Sequence, residues 1–161
     1  IIDGVDILSL NDDELSEYRN KKVSFIYQFA SLIPTLTSIE NVILPTIFSK
    51  DKRPDILSKA KELLELVGLR DKFNAYPAQL SGGQQRRVAI ARAFINDPEL
   101  ILADEPTGDL DEDTEKEVMT LFERFNKERG ITFVLVTHNR ELARSASRRF
   151  QMTAGKINEI T

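Results

Sequence analysis

The chain has 161 residues, the size of one domain, with 41% hydrophobic residues, 30% charged residues and a net charge of -4. With no cysteine and one histidine, it cannot form disulfides, thiolate metal sites or a histidine metal cluster. Its negative charge gives no general attraction to nucleic acid, and it contains no apolar run long enough to cross a bilayer.

Residues 1–7 look like part of a hairpin, and a short helix and a strand follow them. Asn11 and Glu14 have the spacing of a capping box, which predicts a helix start. Residues 23–27 alternate weakly in hydrophobicity and predict a strand that ends at Gln28. The Gln28 amide could ligate Mg²⁺ through its oxygen and contact a phosphate through its nitrogen, but a glutamine here is also an ordinary solvated loop residue.

Two helices follow this strand. Thr37 and Glu40 form a second capping box, and Pro45 should bend the helix that begins there. Between Pro54 and Gly68, apolar residues recur at helical spacing, which predicts a helix that packs on the core.

A third capping box, Ser81 with Gln84, opens a helix whose first turn contains Gly82 and Gly83. Two glycines weaken a helix start by roughly 1 kcal/mol each relative to alanine. They also leave backbone N–H groups bare at the positive end of the helix dipole. This stretch therefore predicts a surface that binds a phosphate.

Residues 100–106 form a short apolar run that ends in Asp104, Glu105 and Pro106. The run predicts a buried parallel strand, whose carboxyl end is where open α/β sheets bind ligands. Two adjacent carboxylates there fit Mg²⁺ with a phosphate ester, one organising the metal and the other an attacking water. The alternative is a helix N-terminus stabilised by acidic residues.

The last third of the chain predicts a helix, a strand and a hairpin. Asp111 should cap a helix that ends at Gly130. Residues 131–137 read as a second buried strand with His138 at its tip, where an isolated histidine is commonly structural or solvated. Residues 150–160 predict a final hairpin.

Three of these stretches resemble the ATP-binding cassette (ABC) ATPases. Residues 80–93, LSGGQQRRVAIARA, are similar to the family's signature helix, and residues 100–105 resemble its Walker B strand. Residues 32–42 resemble the segment after its Q-loop glutamine, which is Gln28 here. Within the family, the sequence looks most like the ATPases of lipoprotein-releasing systems and macrolide exporters.

The resemblance implies an α/β fold, a P-loop NTPase-like three-layer sandwich with an inserted helical subdomain, incomplete at its N-terminus. Residues 1–30 and 99–161 would belong to the α/β core, and residues 31–98 to the helical subdomain. It also implies ATP and Mg²⁺ as ligands, a second ATPase subunit in a homodimer and integral membrane permease subunits as partners, without nucleic acid. The protein would then be cytoplasmic and peripheral on the inner face of the membrane.

The same resemblance assigns roles to individual residues. Glu105 would be the general base or water-orienting group, with His138 and Gln28 completing the catalytic site. Asp104 and Gln28 would organise Mg²⁺. The residues in contact with nucleotide or across the dimer would be Ser81, Gly82, Gly83, Gln84, Asp109 and Asp111.

No Gly-x-x-x-x-Gly-Lys-Ser/Thr stretch, the P-loop that holds the β- and γ-phosphates, occurs in the sequence. Because a sheet without its P-loop strand would expose edges and apolar surface, we expect a fragment of a longer ATPase. One alternative is a truncated, non-catalytic interaction subunit. Another is a DNA-repair or chromosome-maintenance ATPase, but 53 positions from Gln28 to Ser81 leave no room for that group's coiled coil.

Overall fold

The computed structural model describes residues 1–2, 4–50, 53–108 and 110–160. Helices separate the first four strands from one another along the chain, as in an α/β protein. The helices are α1 Asp12–Lys22, α2 Ser38–Ile43, α3 Ile56–Leu66, α4 Gly82–Ala93, α5 Glu112–Arg129 and α6 Arg140–Ser145. The strands are β1 Val23–Ile26, β2 Leu100–Asp104, β3 Thr132–Val136, β4 Arg149–Thr153 and β5 Lys156–Ile160.

The helix starts follow the predicted caps. Helices α1, α2 and α4 begin after Asn11, Thr37 and Ser81, and all three capping boxes are present with both of their hydrogen bonds. Helix α5 begins after Asp111 and ends at Gly130, which has a left-handed φ of 68°. These predictions are confirmed. The sequence could predict them because a cap depends only on residues within one turn of it.

Strands β1, β2 and β3 form a parallel sheet in that order, and β4 pairs with β5 in the predicted hairpin. One face of the parallel sheet packs on α4 and α5. Its contacts include a group of aromatic rings contributed by Phe94, Phe122, Phe125 and Phe133. Because all three strands run the same way, their carboxyl ends lie along one edge.

The other face of the parallel sheet is open. Phe25, Leu102 and Val134 are neighbours across the three strands, and both Phe25 and Val134 are exposed. The Phe25 ring stacks on Tyr27 with centroids 5.8 Å apart. Parallel sheets are usually covered on both faces. Here the face that packs on α4 and α5 is covered, whereas the face with Phe25 and Val134 is exposed.

A single hydrophobic cluster runs through the described residues. It includes Ile39 of α2, Leu64 of α3, Val88 of α4 and Ile101 of β2. Buried side chains of the predicted helical subdomain and of the predicted α/β core thus belong to one cluster. The division at residues 31 and 98 therefore stays a prediction.

Asp97, in the turn between α4 and β2, joins three separate parts of the chain. Its carboxylate pairs with Arg53 at 2.7 Å, with Lys59 of α3, and with Arg129 of α5 at 3.7 Å. Burial raises the pKa of Asp97, but the hydrogen bonds and charges of Arg53 and Lys59 outweigh it and hold the pKa below its ordinary value. The side chain is 44% exposed, so solvent screens these pairs.

Asp97→Asn should lower the free energy of unfolding by about 1 kcal/mol at neutral pH, because asparagine keeps the left-handed backbone at φ 51° but loses the charge. Since the folded pKa is depressed, this contribution is present above the unfolded pKa and is lost as pH falls through the folded pKa. The difference from the parent protein should therefore shrink below about pH 4 and in about 1 M salt.

Urea denaturation at several pH values and salt concentrations measures this difference. The matched control is Asp71→Asn, since Asp71 is an exposed carboxylate paired with the adjacent Lys72. A stability loss for Asp97→Asn that is the same at all pH values would show that its charge is not the cause.

Candidate functional site

The polar residues that the sequence places after strands lie at the carboxyl edge of the parallel sheet. Asp104 is the last residue of β2 and Glu105 follows it, while Gln28 and His138 each lie two residues past the ends of β1 and β3. The Glu105 N–H donates to the Val136 carbonyl at 2.9 Å. Helix α5 begins only at Glu112, so the alternative of an acidic helix N-terminus at residues 104 and 105 is wrong.

Glu105 is the most constrained of these residues. Its φ is 45°, in the left-handed region that glutamate rarely adopts. Oε1 accepts a hydrogen bond from the His138 N–H at 2.7 Å and lies 2.6 Å from His138 Nδ1. Oε2 accepts from the Thr137 hydroxyl at 3.0 Å. The carboxylate is thereby held on the segment that follows β3.

These contacts set the charge of Glu105. Partial burial raises the pKa of its carboxyl, but hydrogen bonds from the His138 backbone, the His138 ring and Thr137 together bring the pKa below its ordinary value. The Glu105 side chain is 17% exposed and the His138 side chain is 89% exposed. The site therefore offers an ionised, fixed carboxylate beside an accessible imidazole, an arrangement that can orient water and contact an anion.

Asp104 and Gln28 are both exposed at this edge. In the part of the chain that the structure describes, no group of three or more His, Cys, Asp or Glu side chains could hold a metal ion. The arrangement still fits Mg²⁺, which is commonly bound through one or two protein oxygens together with substrate phosphates and water. Asp104 and Gln28 each supply such an oxygen, and phosphate and water would provide the remaining ligands.

The start of α4 presents bare backbone to solvent. Ser81 Oγ accepts from the Gln84 N–H at 3.2 Å, and Gln84 Oε1 accepts from the Ser81 N–H at 2.9 Å. A Cβ at Gly82 would meet nothing within 4 Å, and Gly83 is partly exposed. Neither packing nor a left-handed backbone requires glycine at position 82.

Among the described residues, the capping side chains of α4 and the side chains at the sheet edge form different sets of hydrogen bonds. Across residues 1–2, 4–50, 53–108 and 110–160, no hydrogen bond links the Ser81 or Gln84 side chain to Glu105 or His138. Asp111 caps α5 by accepting from the Thr114 N–H at 3.0 Å and the Thr114 hydroxyl at 2.8 Å. Asp109 lies outside the described residues.

Sequence reasoning did not find three residues that shape this site. Thr137 bonds the Glu105 carboxylate, and its place one residue before the strand-tip histidine was an available signal. Arg86 and Arg92 of α4 bond the backbone around Gln28. Nothing local marks these arginines, because their partners lie about sixty positions earlier in the chain.

Comparisons with known proteins identify the class. A family model described as "ABC transporter" matches residues 1–108, and the chain belongs to this family. It is 44% identical to the lipoprotein-releasing system ATP-binding protein LolD of Geobacter metallireducens over 96% of this chain and 68% of that protein. It is 46% identical to the macrolide export ATP-binding/permease protein MacB of Rhodopirellula baltica over 97% of this chain and 23% of that protein.

Solved structures agree with this assignment. A dimeric post-hydrolysis state of the ATP-binding cassette MJ0796 bound to ADP and Pi matches with a TM-score of 0.89 and 41% identity, over 98% of this chain and 71% of that chain. The predicted α/β fold class and the family resemblance are confirmed. The chain spans 64% of LolD 1 of Chlorobium chlorochromatii and about a quarter of MacB. In the described ranges no helix combines the length and the apolar character needed to cross a membrane.

Proposed function

We propose that this sequence is part of an ATPase subunit of the LolD or MacB type, which binds and hydrolyses ATP to drive a membrane permease. The observation that carries the proposal is the ionised Glu105 carboxylate, fixed beside His138 at the carboxyl edge of a parallel sheet. Hydrolysis of a phosphoanhydride requires positioned charge and a positioned water more than covalent chemistry by the protein.

Each residue at the sheet edge has a part in this proposal. Asp104 and Gln28 would hold Mg²⁺, which would supply positive charge against the phosphates. Glu105 orients the attacking water and accepts its proton as the water oxygen bonds the γ-phosphorus and the bond from that phosphorus to the bridging oxygen breaks, which releases ADP. His138, whose Nδ1 faces Glu105, uses the exposed remainder of its ring to contact the γ-phosphate. Fixing the Glu105 carboxylate before the substrate arrives reduces the reorganisation needed during reaction.

The signature helix serves a second copy. The N-terminus of α4 is glycine-rich and its residues Ser81 and Gly82 are exposed, so its backbone N–H groups are accessible to an anion held by another subunit. In a head-to-tail homodimer, Ser81, Gly82, Gly83 and Gln84 contact the γ-phosphate bound to the partner, with Asp109 and Asp111 adding contacts across the dimer. The dimeric MJ0796 structures, to which this chain is similar, support a dimer.

The permease binds around residues 32–42 in this proposal, and exposed apolar side chains lie in that segment and on both sides of it. Between residues 29 and 48 the chain exposes several large apolar side chains that do not join the core: Phe29, Ile33, Ile47 and Phe48. Exposed apolar side chains of this size are typical of protein contact surfaces. Binding there would place the ATPase in the cytoplasm at the inner face of the membrane.

The test compares two versions of the protein, the 161-residue chain and one extended upstream by a segment with a P-loop. We expect the extended version to hydrolyse MgATP and the short chain to bind it more weakly by at least about 100-fold, because the P-loop supplies the phosphate-binding amides and lysine. Calorimetric binding and phosphate release measure both quantities. Hydrolysis by the short chain at a similar rate would contradict the proposal, and an inactive extended version would favour a non-catalytic interaction subunit.

A further inference from the structure

The backbone around Gln28 is held by two arginines of helix α4. Arg86 Nη1 donates to the Tyr27 carbonyl at 2.6 Å. Arg92 donates through Nη2 to the Ala30 carbonyl and through Nη1 to the Ser31 carbonyl, each at 2.9 Å. Three carbonyls within five residues thus accept from guanidinium groups of one helix.

Two of these bonds are partly buried, and the bond from Arg92 to Ser31 is exposed. Arg86 is 1% exposed, and Arg92 is buried enough that desolvation lowers its pKa. Charged donors in such surroundings form stronger hydrogen bonds than neutral ones. Ser31 has a φ of 46°, a left-handed conformation that serine adopts only when its surroundings impose it. The arginines therefore fix a backbone path that residues 27–31 would not adopt alone.

The next residues are fixed in a similar way by α2. The buried Asn41 side chain accepts from the Ile33 N–H at 2.8 Å and donates to the carbonyls of Ile33, Leu36 and Thr37 at 3.0 to 3.2 Å. Residues 27–37 are thus attached along their length to side chains of two helices. Gln28 lies at the end that is attached to α4.

We propose that Arg86 and Arg92 are positioning residues that hold Gln28 in its working place by tying residues 27–31 to helix α4. The role of Gln28 rests on the proposed function, whereas the attachment itself rests on the three hydrogen bonds. Because Ser81 caps α4 and Gly82 and Gly83 open it, the same helix connects residues 27–31 with the signature residues. The helix is twelve residues, or about 18 Å, long.

The first test measures the attachment without nucleotide. In the full-length protein, Arg92→Met should raise amide hydrogen exchange in residues 27–33 by at least about fivefold, because two of the three hydrogen bonds are lost. Arg92→Lys, which keeps a charged donor, should give an intermediate rate. The control is Arg70→Met, at an exposed arginine 3.5 Å from Glu65. Exchange in Arg92→Met equal to that in the control would overturn the attachment.

The second test measures positioning through Gln28. Arg92→Met should lower kcat for MgATP by about tenfold with KM within about twofold, since a misplaced group affects the transition state more than ground-state binding. Arg92→Lys should recover part of kcat, and Arg70→Met should leave it unchanged. Adding Arg92→Met to Gln28→Ala should then lower kcat by less than about twofold more, because the residue that Arg92 positions is already gone.

The outcomes distinguish the attachment of residues 27–31 to α4 from the proposed role of Gln28 in hydrolysis. Full multiplication of the two effects on kcat would overturn the positioning role, because Arg92 would then act independently of Gln28. If Gln28→Ala alone left kcat unchanged while Arg92→Met still loosened residues 27–33, the attachment would stand and the proposed role of Gln28 would be wrong. Arg86→Lys gives a second variant for the same exchange measurement at the buried position.

Discussion

Glu105→Gln in the full-length protein should lower the kcat of ATP hydrolysis by about two to three orders of magnitude, with the affinity for MgATP changed by less than about twofold. The carboxylate is ionised because its pKa is depressed, and its position is fixed by His138 and Thr137. Glutamine keeps the size of the side chain but loses the charge that polarises water. The loss should therefore fall on the chemical step.

The surroundings of Glu105 dictate the controls. The two carboxylate oxygens of Glu105 contact the His138 N–H, the His138 ring and the Thr137 hydroxyl. A glutamine would replace one of these oxygens with an NH₂ group, which cannot accept a hydrogen bond. Thermal unfolding of the variant should accordingly be measured beside its kinetics. Glu117→Gln, at an exposed glutamate of α5, is the matched control and should leave kcat unchanged.

The pH dependence gives an independent check. Because the pKa of Glu105 lies below its ordinary value, the carboxylate stays ionised throughout the neutral range, and its titration should not reduce kcat above about pH 5. A kcat for Glu105→Gln equal to that of the parent protein would remove Glu105 from the mechanism. A loss that appears entirely as weaker MgATP binding would instead assign it to ligand binding.

Local signals accounted for much of the fold. The capping boxes at Asn11, Thr37 and Ser81, the left-handed Gly130 and the strand ending at Asp104 all depend on a few neighbouring residues. Expectations were less accurate where pairing or packing decides the outcome. The expected hairpin over residues 1–7 has in its place an isolated bridge between Ile2 and Val5.

The chain near Pro45 shows a similar limit. The expected bend is instead a change of helix type: α2 ends at Ile43 and the chain continues as the 3-10 helix Leu44–Phe48 with Pro45 in its first turn. Proline lacks the N–H that an α-helix interior needs, so the α-helix ends rather than bends. Which of these two outcomes occurs depends on the packing around the helix.

The contacts within the site lay beyond local reasoning. Strand order and parallel direction predict that Glu105 and His138 share an edge, but not that the two side chains meet at 2.6 Å. Glu105 makes this contact with a left-handed backbone. A left-handed backbone is usually indicated by glycine or asparagine, and neither stands at this position. The attachment of residues 27–31 by Arg92 depends on tertiary packing between segments about sixty positions apart.

Gly82→Ala should separate function from folding, because its effects on stability and on turnover have opposite signs. A Cβ at position 82 meets nothing within 4 Å, and the residue opens α4 with ordinary helical backbone. Alanine should therefore raise the free energy of unfolding by up to about 1 kcal/mol. In the proposed dimer, the same methyl group would lie between the backbone N–H groups of α4 and the γ-phosphate of the nucleotide bound to the partner subunit. We therefore expect kcat to fall by about 100-fold.

Gly130→Ala is the matched control with the reverse outcome. Gly130 has a φ of 68° at the end of α5, where alanine is strained, so this variant should lose about 1 kcal/mol of stability while kcat stays unchanged. Urea denaturation and steady-state ATP turnover measure both variants, and ATP-dependent dimerisation should weaken only in Gly82→Ala. Full turnover in Gly82→Ala would contradict the proposed contact, because a methyl group at position 82 should keep a phosphate bound to the second subunit away from the N–H groups of α4.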